Sequence, residues 1–269
     1  MHAFYINLDS ADLRRKKIEE QIASSSLLFE LDRFSAINGK DFQNKNINLS
    51  NGQWGCWLSH LSIIKSSLSN FENLLILEDD EHFTPLLNHL IPILENLNFE
   101  EWDLLYLDLT IVEAEDYLFI ARKLKDKILK DIRPTTFKIP KEFTAYGTHA
   151  YVINGNRKEK IFDFLSKNLD SGFPIDNIFC HGIQEGHISA HITLPLLTSP
   201  GSETTQSQIN NGSHPLENTW INFRNLISIY SIKDKYQEYL QSKLDVETKE
   251  AIINRLNFSC LDKFKPINR

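Results

Sequence analysis

Four consecutive acidic residues near the middle of the chain are the strongest candidates for chemistry. They are Glu78, Asp79, Asp80 and Glu81, and they follow an apolar run at 74–77. Two like charges about 4 Å apart repel by roughly 4 kcal/mol at an effective dielectric constant near 20, so a counter-charge is expected. A hard divalent cation such as Mg²⁺ or Mn²⁺ would supply it, because it prefers carboxylate oxygens and shares its remaining positions with phosphate.

Such a cation would stabilise the charge that develops on a departing nucleoside diphosphate. The alternative is an acidic turn before a helix that begins at Thr84 and Pro85, where negative charge is mildly favourable. The strand character of the apolar run favours the metal site, because ligands bind at the carboxyl ends of strands in open α/β sheets.

The elements around these acids alternate between strand and helix. The segments with strand or helix character are 4–8, 11–23, 32–38, 55–69 and 104–109. The run at 74–77 is apolar throughout, which is typical of a strand buried on both faces. The alternation predicts an α/β fold with a mainly parallel sheet flanked by helices, an architecture typical of nucleotide binding.

The C-terminal part of the chain has a different pattern. Residues 201–218 are the most polar stretch and are predicted to be a flexible loop or lid. Residues 219–269 carry apolar side chains at helical spacing, which predicts a C-terminal helical subdomain. The main domain is therefore expected to cover 1–200.

The composition is that of an ordinary globular protein, with 41% hydrophobic residues in 269. A net charge of -7 argues against a general nucleic-acid binder, which needs an excess of Lys and Arg. Neither a signal peptide nor an apolar run of about 18 residues is found, so we expect a soluble or peripheral cytoplasmic protein. Cys56, Cys180 and Cys260 are widely spaced, which suits reduced thiols better than disulfides or a zinc site.

Four short motifs follow one another in the first 80 residues. They are Tyr5-Ile-Asn-Leu-Asp9 with Arg14-Arg15, Arg33-Phe-Ser-Ala-Ile-Asn-Gly39, Gly55-Cys-Trp-Leu-Ser-His60 and Leu75-Ile-Leu-Glu-Asp-Asp80. In order and spacing they resemble glycosyltransferase family 25, the lipooligosaccharide-type transferases whose relatives include collagen galactosyltransferases. Beyond residue 109 the resemblance is confined to scattered positions.

The resemblance implies a GT-A-like fold with a donor-nucleotide half at 1–110 and an acceptor half at 111–200. It places Glu78 and Asp80 at the outer acids of the family's Asp-x-Asp metal motif, with Mn²⁺ or Mg²⁺ as cofactor. It also implies a set of donor-binding residues: Asn7, Leu8, Asp9, Arg14, Asn38, Gly39, Ser59, His60 and Asp79.

Two further carboxylates are candidates for the reacting centre. An inverting transfer needs a carboxylate that takes the proton of the attacking acceptor hydroxyl. Asp176 is the first choice, because it lies where the family's Pro-x-Asp element falls, and a helix N-cap is its alternative role. Asp108 would approach the sugar if its strand end reaches the cleft. Three histidines could complete the metal shell or contact the diphosphate, or could be structural: His149, His181 and His187.

The resemblance implies transfer of galactose or glucose from a UDP-sugar to a lipooligosaccharide or lipopolysaccharide acceptor. The basic tail at 263–269 and this acceptor suggest peripheral attachment to the inner membrane. The chain departs from the family at Ser10, where Arg is common, and at Ser207-Gln208-Ile209, where a Ser-Asp-Ile-like element is expected. These changes leave open a sugar-nucleotide-binding protein that has lost turnover.

Two other enzyme classes fit less well. A metal-dependent phosphatase would carry a nucleophilic Asp followed two residues later by a second Asp and then Thr or Val, or a phosphate-gripping Gly-rich loop, and neither is found. A glycosidase would need two separated carboxylates and no nucleotide. Protection of the protein by nucleotides against heat unfolding would separate these classes.

Overall fold

The computed structural model describes residues 1–42, 48–98, 100–111 and 133–200, and also 113, 115–116, 119–120 and 122–123. The predicted lid at 201–218, the predicted helical subdomain at 219–269 and the altered motif at 207–209 lie outside these residues. Cys260 lies outside them as well.

The described part of the chain contains nine strands. They are β1 (His2–Asn7), β2 (Asp32–Ser35), β3 (Leu74–Glu78), β4 (Glu81–Phe83), β5 (Leu104–Ile111), β6 (Thr135–Lys138), β7 (Ala145–Ile153), β8 (Ala190–Leu194) and β9 (Thr198–Pro200). Seven form one sheet in the order β2-β1-β3-β7-β5-β8-β6, and β4 pairs with β9 in a second sheet.

Five α-helices connect these strands within the described residues: α1 (Asp12–Ser24), α2 (Asn51–Ser66), α3 (Leu90–Asn96), α4 (Lys158–Lys167) and α5 (Ile175–Gln184). Short 3-10 turns are formed by Gly39–Asp41, Leu87–His89 and Gly155–Arg157.

The large sheet is mostly parallel. Strand β1 runs parallel to β2 and β3, and β5 runs parallel to β8. Strand β7 is antiparallel to both β3 and β5, and β6 is antiparallel to β8. Five of the seven strands therefore run in one direction, which confirms the predicted α/β class. The antiparallel β7 places its central residues beside the carboxyl end of β3.

The core lies on both faces of the sheet, as predicted from the apolar run. All four residues at 74–77 are completely buried. Leu74 and Ile76 pack in one hydrophobic cluster with Trp57, whereas Leu75 and Leu77 pack in a second cluster on the other face. Burial of each such side chain stabilises the fold by about 1.5–3 kcal/mol, so the strand that carries the acids is firmly held.

The helix predicted from Thr84 begins later than expected. Thr84 donates from its backbone N and its Oγ1 to the carbonyl of Leu197, at 3.2 and 2.8 Å, which keeps it extended beside β9. A 3-10 turn and then α3 follow. Glu81 is the first residue of β4 and not part of a turn.

Helix α2 begins earlier than the predicted residue 55. Ser50 and Gln53 form a reciprocal capping box, in which the Ser50 side chain accepts from the Gln53 backbone N and the Gln53 side chain accepts from the Ser50 backbone N. The Ser-x-x-Gln spacing carried this signal in the sequence. Over the described residues, no helix has the length and apolar character that crossing a membrane requires.

Candidate active site

Two of the four acids meet a histidine at the carboxyl end of β3. Glu78, Asp80 and His149 each offer one ligand atom, and these atoms lie within 4.8 Å of one another. The pairing of Leu77 with Ala150 in the antiparallel β3–β7 ladder brings His149 to this position. The structure therefore joins His149 to the two acids predicted as metal ligands.

Gly147 makes room for the His149 ring. Its φ of +113° is one that residues with a side chain rarely adopt, and a Cβ at this position would lie 2.7 Å from His149 Cδ2. A glycine is therefore needed here both for the backbone and for the ring.

Glu78 is held by polar neighbours on two sides. Thr148 Oγ1 donates to Glu78 Oε1 at 2.7 Å, and His60 Nε2 lies 3.7 Å from the same oxygen. Burial alone would raise the pKa of Glu78, but the interactions with His60, His149 and Thr148 outweigh it and lower the pKa to about 2. Glu78 is therefore charged across the physiological pH range.

Asp80 and His149 each keep a buried polar atom without a partner. Among the described residues, neither Asp80 Oδ1 nor His149 Nδ1 has a hydrogen-bond partner. Burial and the charge of Glu78 raise the pKa of Asp80 to about 6. Burial lowers the pKa of His149, but the negative charges of Glu78, Glu81 and Asp80 outweigh it and raise the pKa overall.

These unpaired atoms fit a divalent cation. An unsatisfied buried polar atom costs about 1–3 kcal/mol, so two in one cluster need an explanation. Carboxylate oxygens are the ligands that Mn²⁺ and Mg²⁺ prefer, so Glu78 and Asp80 suit either cation. The imidazole of His149 suits Mn²⁺ better than Mg²⁺, which prefers an all-oxygen shell.

The neighbouring Asp79 has different partners. Its Oδ2 accepts from Asn7 Nδ2 at 2.7 Å and its Oδ1 accepts from Arg14 Nη1 at 3.0 Å. The same Arg14 nitrogen lies 3.5 Å from Asp80 Oδ2. Asp79 and Arg14 thus connect the acidic turn to β1 and α1. A cavity of about 330 Å³ opens between α1 and residues 79–82.

The end of β1 is cross-linked to β2 by Arg33. The Arg33 guanidinium donates to Asn7 Oδ1 at 3.1 Å and also to Asp9. Asp9 additionally accepts from Ser35 Oγ at 2.8 Å, and the hydrogen bonds from Arg33 and Ser35 lower its pKa. Asn7 is buried, whereas the Asp9 side chain is 77% exposed. The Leu8 carbonyl accepts from the Ala11 backbone N at 2.9 Å.

The second and third motifs pack against each other. Ser59 Oγ donates to the Gly55 carbonyl at 2.7 Å and accepts from the Ile37 backbone N at 2.8 Å. A Cβ on Gly39 would overlap the Asn51 backbone, so α2 approaches this loop as closely as a glycine allows. Asn38 Oδ1 accepts from the Lys40 backbone N at 3.1 Å. Ser59 and Asn38 therefore hold the backbone in this structure.

The two predicted catalytic carboxylates occupy different environments. Asp176 lies in the first turn of α5, where its Oδ1 accepts from the Asn177 backbone N at 2.9 Å. Burial raises the pKa of Asp176, although the hydrogen bond from the Asn177 backbone and the charge of His149 act to lower it. Asp108 is completely buried on β5, opposite Ala150.

Two of the three candidate histidines are remote from the metal cluster. His181 and His187 each lie 3.3 Å from a carboxylate oxygen of Glu185, and both are more than half exposed. Of the roles considered for these two histidines, the structural one is favoured, because they lie in and after the last turn of α5 and neither joins the group of Glu78, Asp80 and His149.

The sequence from residue 1 to 179 matches the model of one protein family, described as glycosyltransferase family 25 (LPS biosynthesis protein). This chain belongs to glycosyltransferase family 25. The matched span is about two thirds of the chain and includes the metal cluster and Asp176. This family 25 enzyme is thus a glycosyltransferase of lipopolysaccharide or lipooligosaccharide biosynthesis.

Other comparisons add little to this membership. No curated protein matches the family 25 enzyme. A crystal structure of an active-site mutant of LgtC is similar over 82% of this chain and 83% of that one, with 12% identity and a TM-score of 0.37. A likeness at that score carries no argument about the site.

Sequence reasoning gave no role to three side chains around the cluster of the family 25 enzyme. Thr148 donates to Glu78, Tyr151 contacts His60, and Arg33 joins Asn7 to Asp9. Arg33 was inside a recognised motif, and its position one strand away from Asn7 was the available signal. The sequence carries no comparable signal for Thr148 and Tyr151, because their contacts depend on the antiparallel pairing of β7.

Proposed function

We propose that this transferase moves a hexose, galactose or glucose, from a UDP-sugar to a lipooligosaccharide or lipopolysaccharide acceptor with inversion at the anomeric carbon. Mn²⁺ or Mg²⁺ is its cofactor. The reaction takes place in the cytoplasm, with peripheral association at the inner membrane face where the acceptor is presented.

The cluster of Glu78, Asp80 and His149 is the observation that carries this proposal. Two of its buried atoms, Asp80 Oδ1 and His149 Nδ1, have no hydrogen-bond partner within the described part of the chain. In this proposal Glu78 and Asp80 are the main ligands of the cation, and His149 is the third protein ligand. When bound, a divalent cation supplies positive charge against the departing nucleoside diphosphate.

Arg14 and Asp9 are the donor-binding candidates with the clearest access or charge. Arg14 is paired with Asp79 and lies 3.5 Å from Asp80, so it places a positive charge next to the proposed diphosphate position. The exposed Asp9 carboxylate can accept hydrogen bonds from a ribose or base. The other assigned donor residues shape the pocket through the contacts described above: Asn7, Leu8, Asn38, Gly39, Ser59, His60 and Asp79.

Asp176 acts as the general base in this proposal. Its carboxylate takes the proton of the acceptor hydroxyl while the hydroxyl oxygen bonds to the anomeric carbon, and the bond to the diphosphate oxygen breaks on the opposite face. Desolvation raises the pKa of Asp176, which makes its carboxylate a stronger base than an exposed one. Asp108 remains a candidate for contact with the sugar.

A donor panel tests the reaction. The purified chain is incubated with UDP-galactose, UDP-glucose and other sugar nucleotides, with and without Mn²⁺, and released UDP and transferred sugar are measured. We expect metal-dependent release from a UDP-hexose. Donor binding without release from any donor would instead support a protein that has lost turnover.

Asp80→Asn tests the metal ligands, with Asp79→Asn as the matched control. Asp80→Asn removes a charged ligand, so metal-supported turnover should fall at least about 100-fold and require more Mn²⁺. Asp79 is bonded to Asn7 and Arg14, so its variant should keep the wild-type Mn²⁺ dependence even where donor binding weakens. Equal Mn²⁺ dependence in both variants would overturn the assignment.

A further inference from the structure

The motif Gly55-Cys-Trp-Leu-Ser-His60 holds two side chains that the proposed transfer does not use as metal ligands. Cys56 and His60 lie one helical turn apart on α2, so both side chains lie on one face of the helix. This face packs toward the end of β3. Donor atoms of Cys56, His60 and Glu78 lie within 4.8 Å of one another.

His60 has an unpaired ring nitrogen that is aimed into this group. The His60 side chain is 1% exposed, and its Nε2 lies 3.7 Å from Glu78 Oε1, with no hydrogen-bond partner among the described residues. Its Nδ1 is 2.8 Å from the Tyr151 hydroxyl, and the two rings stack with centroids 5.7 Å apart. In the tautomer that donates from Nδ1 to the phenol oxygen, this contact fixes the ring and Nε2 keeps the lone pair that a histidine metal ligand needs.

The spacing of the nitrogen and oxygen ligands is close to that of a tetrahedral zinc site. Zinc bonds of about 2.0–2.1 Å to nitrogen and 2.0–2.2 Å to oxygen separate these two ligand atoms by roughly 3.3–3.5 Å in a tetrahedral site. The observed separation of 3.7 Å between His60 Nε2 and Glu78 Oε1 is close to this value. A thiolate and an imidazole favour zinc over Mg²⁺, which prefers oxygen ligands.

We propose that Cys56, His60 and Glu78 bind a thiophilic divalent cation, and that zinc is the cation bound in the cell. The Cys56 thiol gives up its proton to solvent on binding, and the fourth position is left to water. The wide spacing of the three cysteines predicted no zinc site. The proposed site needs only one cysteine, because a histidine of the same helix and a glutamate of a strand supply the other ligands.

Glu78 belongs to both donor sets, so the two sites compete. A zinc ion held by Cys56 and His60 draws the Glu78 carboxylate away from Asp80 and His149. Resting on the proposed metal-dependent transfer, the inference is that zinc inhibits the enzyme when Mn²⁺ or Mg²⁺ supports it. The soft-metal site itself does not depend on that activity.

Cadmium binding tests the site directly. The metal-free full-length chain is titrated with Cd²⁺, and the ultraviolet charge-transfer absorbance of the cadmium–thiolate bond is recorded without any donor. We expect one Cd²⁺ per chain in the wild type, in Cys180→Ser and in Cys260→Ser, and loss of the band in Cys56→Ser. An unchanged band in Cys56→Ser, or none in the wild type, overturns the proposal.

A second variant guards against a folding defect in the first. His60→Gln keeps the thiol but removes the nitrogen ligand, so its cadmium affinity should fall at least about tenfold while the band remains at high Cd²⁺. The thermal unfolding of each metal-free variant verifies that it is folded. Unaltered cadmium affinity in folded His60→Gln would also overturn the site.

Zinc inhibition is then measured on the Mn²⁺-supported reaction. We expect wild type and Cys180→Ser to be inhibited and Cys56→Ser to be at least about tenfold less sensitive, with its basal activity unchanged. Cadmium binding together with equal zinc inhibition of wild type and Cys56→Ser overturns the competition. Failure of transfer itself leaves the cadmium result intact, so the two proposals fail separately.

Discussion

Asp79 and Asp80 are adjacent in the chain, yet their carboxylates have different partners and different roles. Asp79 is paired with Asn7 and Arg14, so its charge stabilises the junction of β1, α1 and the acidic turn. Asp80 keeps one oxygen buried and unpaired, and burial raises its pKa to about 6. The charged form of Asp80 is therefore unfavourable by itself, and a bound cation would stabilise it.

Asp176→Asn should lower turnover far more than donor affinity. General base catalysis contributes about 10²–10⁴-fold, so kcat should fall at least about 100-fold while the Kd for UDP changes less than about threefold. Steady-state kinetics and titration calorimetry measure the two quantities. An equal loss in both would make Asp176 a binding residue.

The raised pKa of Asp176 predicts the acid side of the pH profile. The base acts in its deprotonated form, so kcat/KM should fall as pH decreases through a pKa above the ordinary value of 3.8. The raised pKa also means that the charge of Asp176 destabilises the folded state. This destabilisation is full above the pKa of the folded protein and vanishes below 3.8, where the carboxyl is protonated in both states. Asp176→Asn should thus unfold at or above the wild-type temperature at neutral pH, with the difference shrinking in acid.

At the scale of elements, β7 decides what the site contains. It is antiparallel to β3 and contributes Thr148 and His149 beside Glu78, and Tyr151 beside His60. Helix α2 contributes His60 from the other side, and its first turn lies against Gly39. The cluster thus depends on the pairing of strands that are about 70 residues apart in sequence.

Gly147→Ala should disturb the site through β7. The variant strains the backbone by about 1–3 kcal/mol and forces the His149 ring to move, so more Mn²⁺ should be needed for half-maximal activity. Gly186→Ala is the control, since Gly186 also has positive φ, +77°, but meets only the Lys141 side chain. Both should lower the unfolding free energy in urea. A shifted Mn²⁺ requirement in the control as well would attribute the effect to general destabilisation.

At the scale of the whole molecule, the net charge of -7 opposes the binding of an anionic sugar nucleotide. Arg14 supplies local positive charge, but it is already shared between Asp79 and Asp80. A cation at the metal cluster would reverse the local balance. Binding of the cation and binding of the diphosphate should therefore reinforce each other.

Mn²⁺ and UDP together should raise the unfolding temperature more than the sum of their separate effects. A ligand at 100 times its Kd stabilises the folded state by about 2.7 kcal/mol, which a thermal shift assay detects easily. Asp80→Asn should retain any stabilisation by UDP alone and lose the part that depends on Mn²⁺. Purely additive shifts in the wild type would argue against a shared site.

The sequence alone determined the local pieces of this protein. The apolar run at 74–77 indicated a strand buried on both faces, and the position of Glu78 and Asp80 after it indicated a metal site. The four motifs indicated the family, which the match over 1–179 confirmed. These features are local because side-chain periodicity and residue order along one segment encode them.

Only the tertiary structure decided which side chains meet. Asp79 is bonded to Asn7, whereas Asp80 is grouped with Glu78 and His149. His181 and His187 lie beside Glu185 instead. Cys56 and His60 are grouped with Glu78. The pattern within β7 shows that it is a strand but not that it pairs antiparallel to β3. Strand pairing and helix packing depend on the burial of surfaces distant in sequence, so no short segment of this chain contains that information.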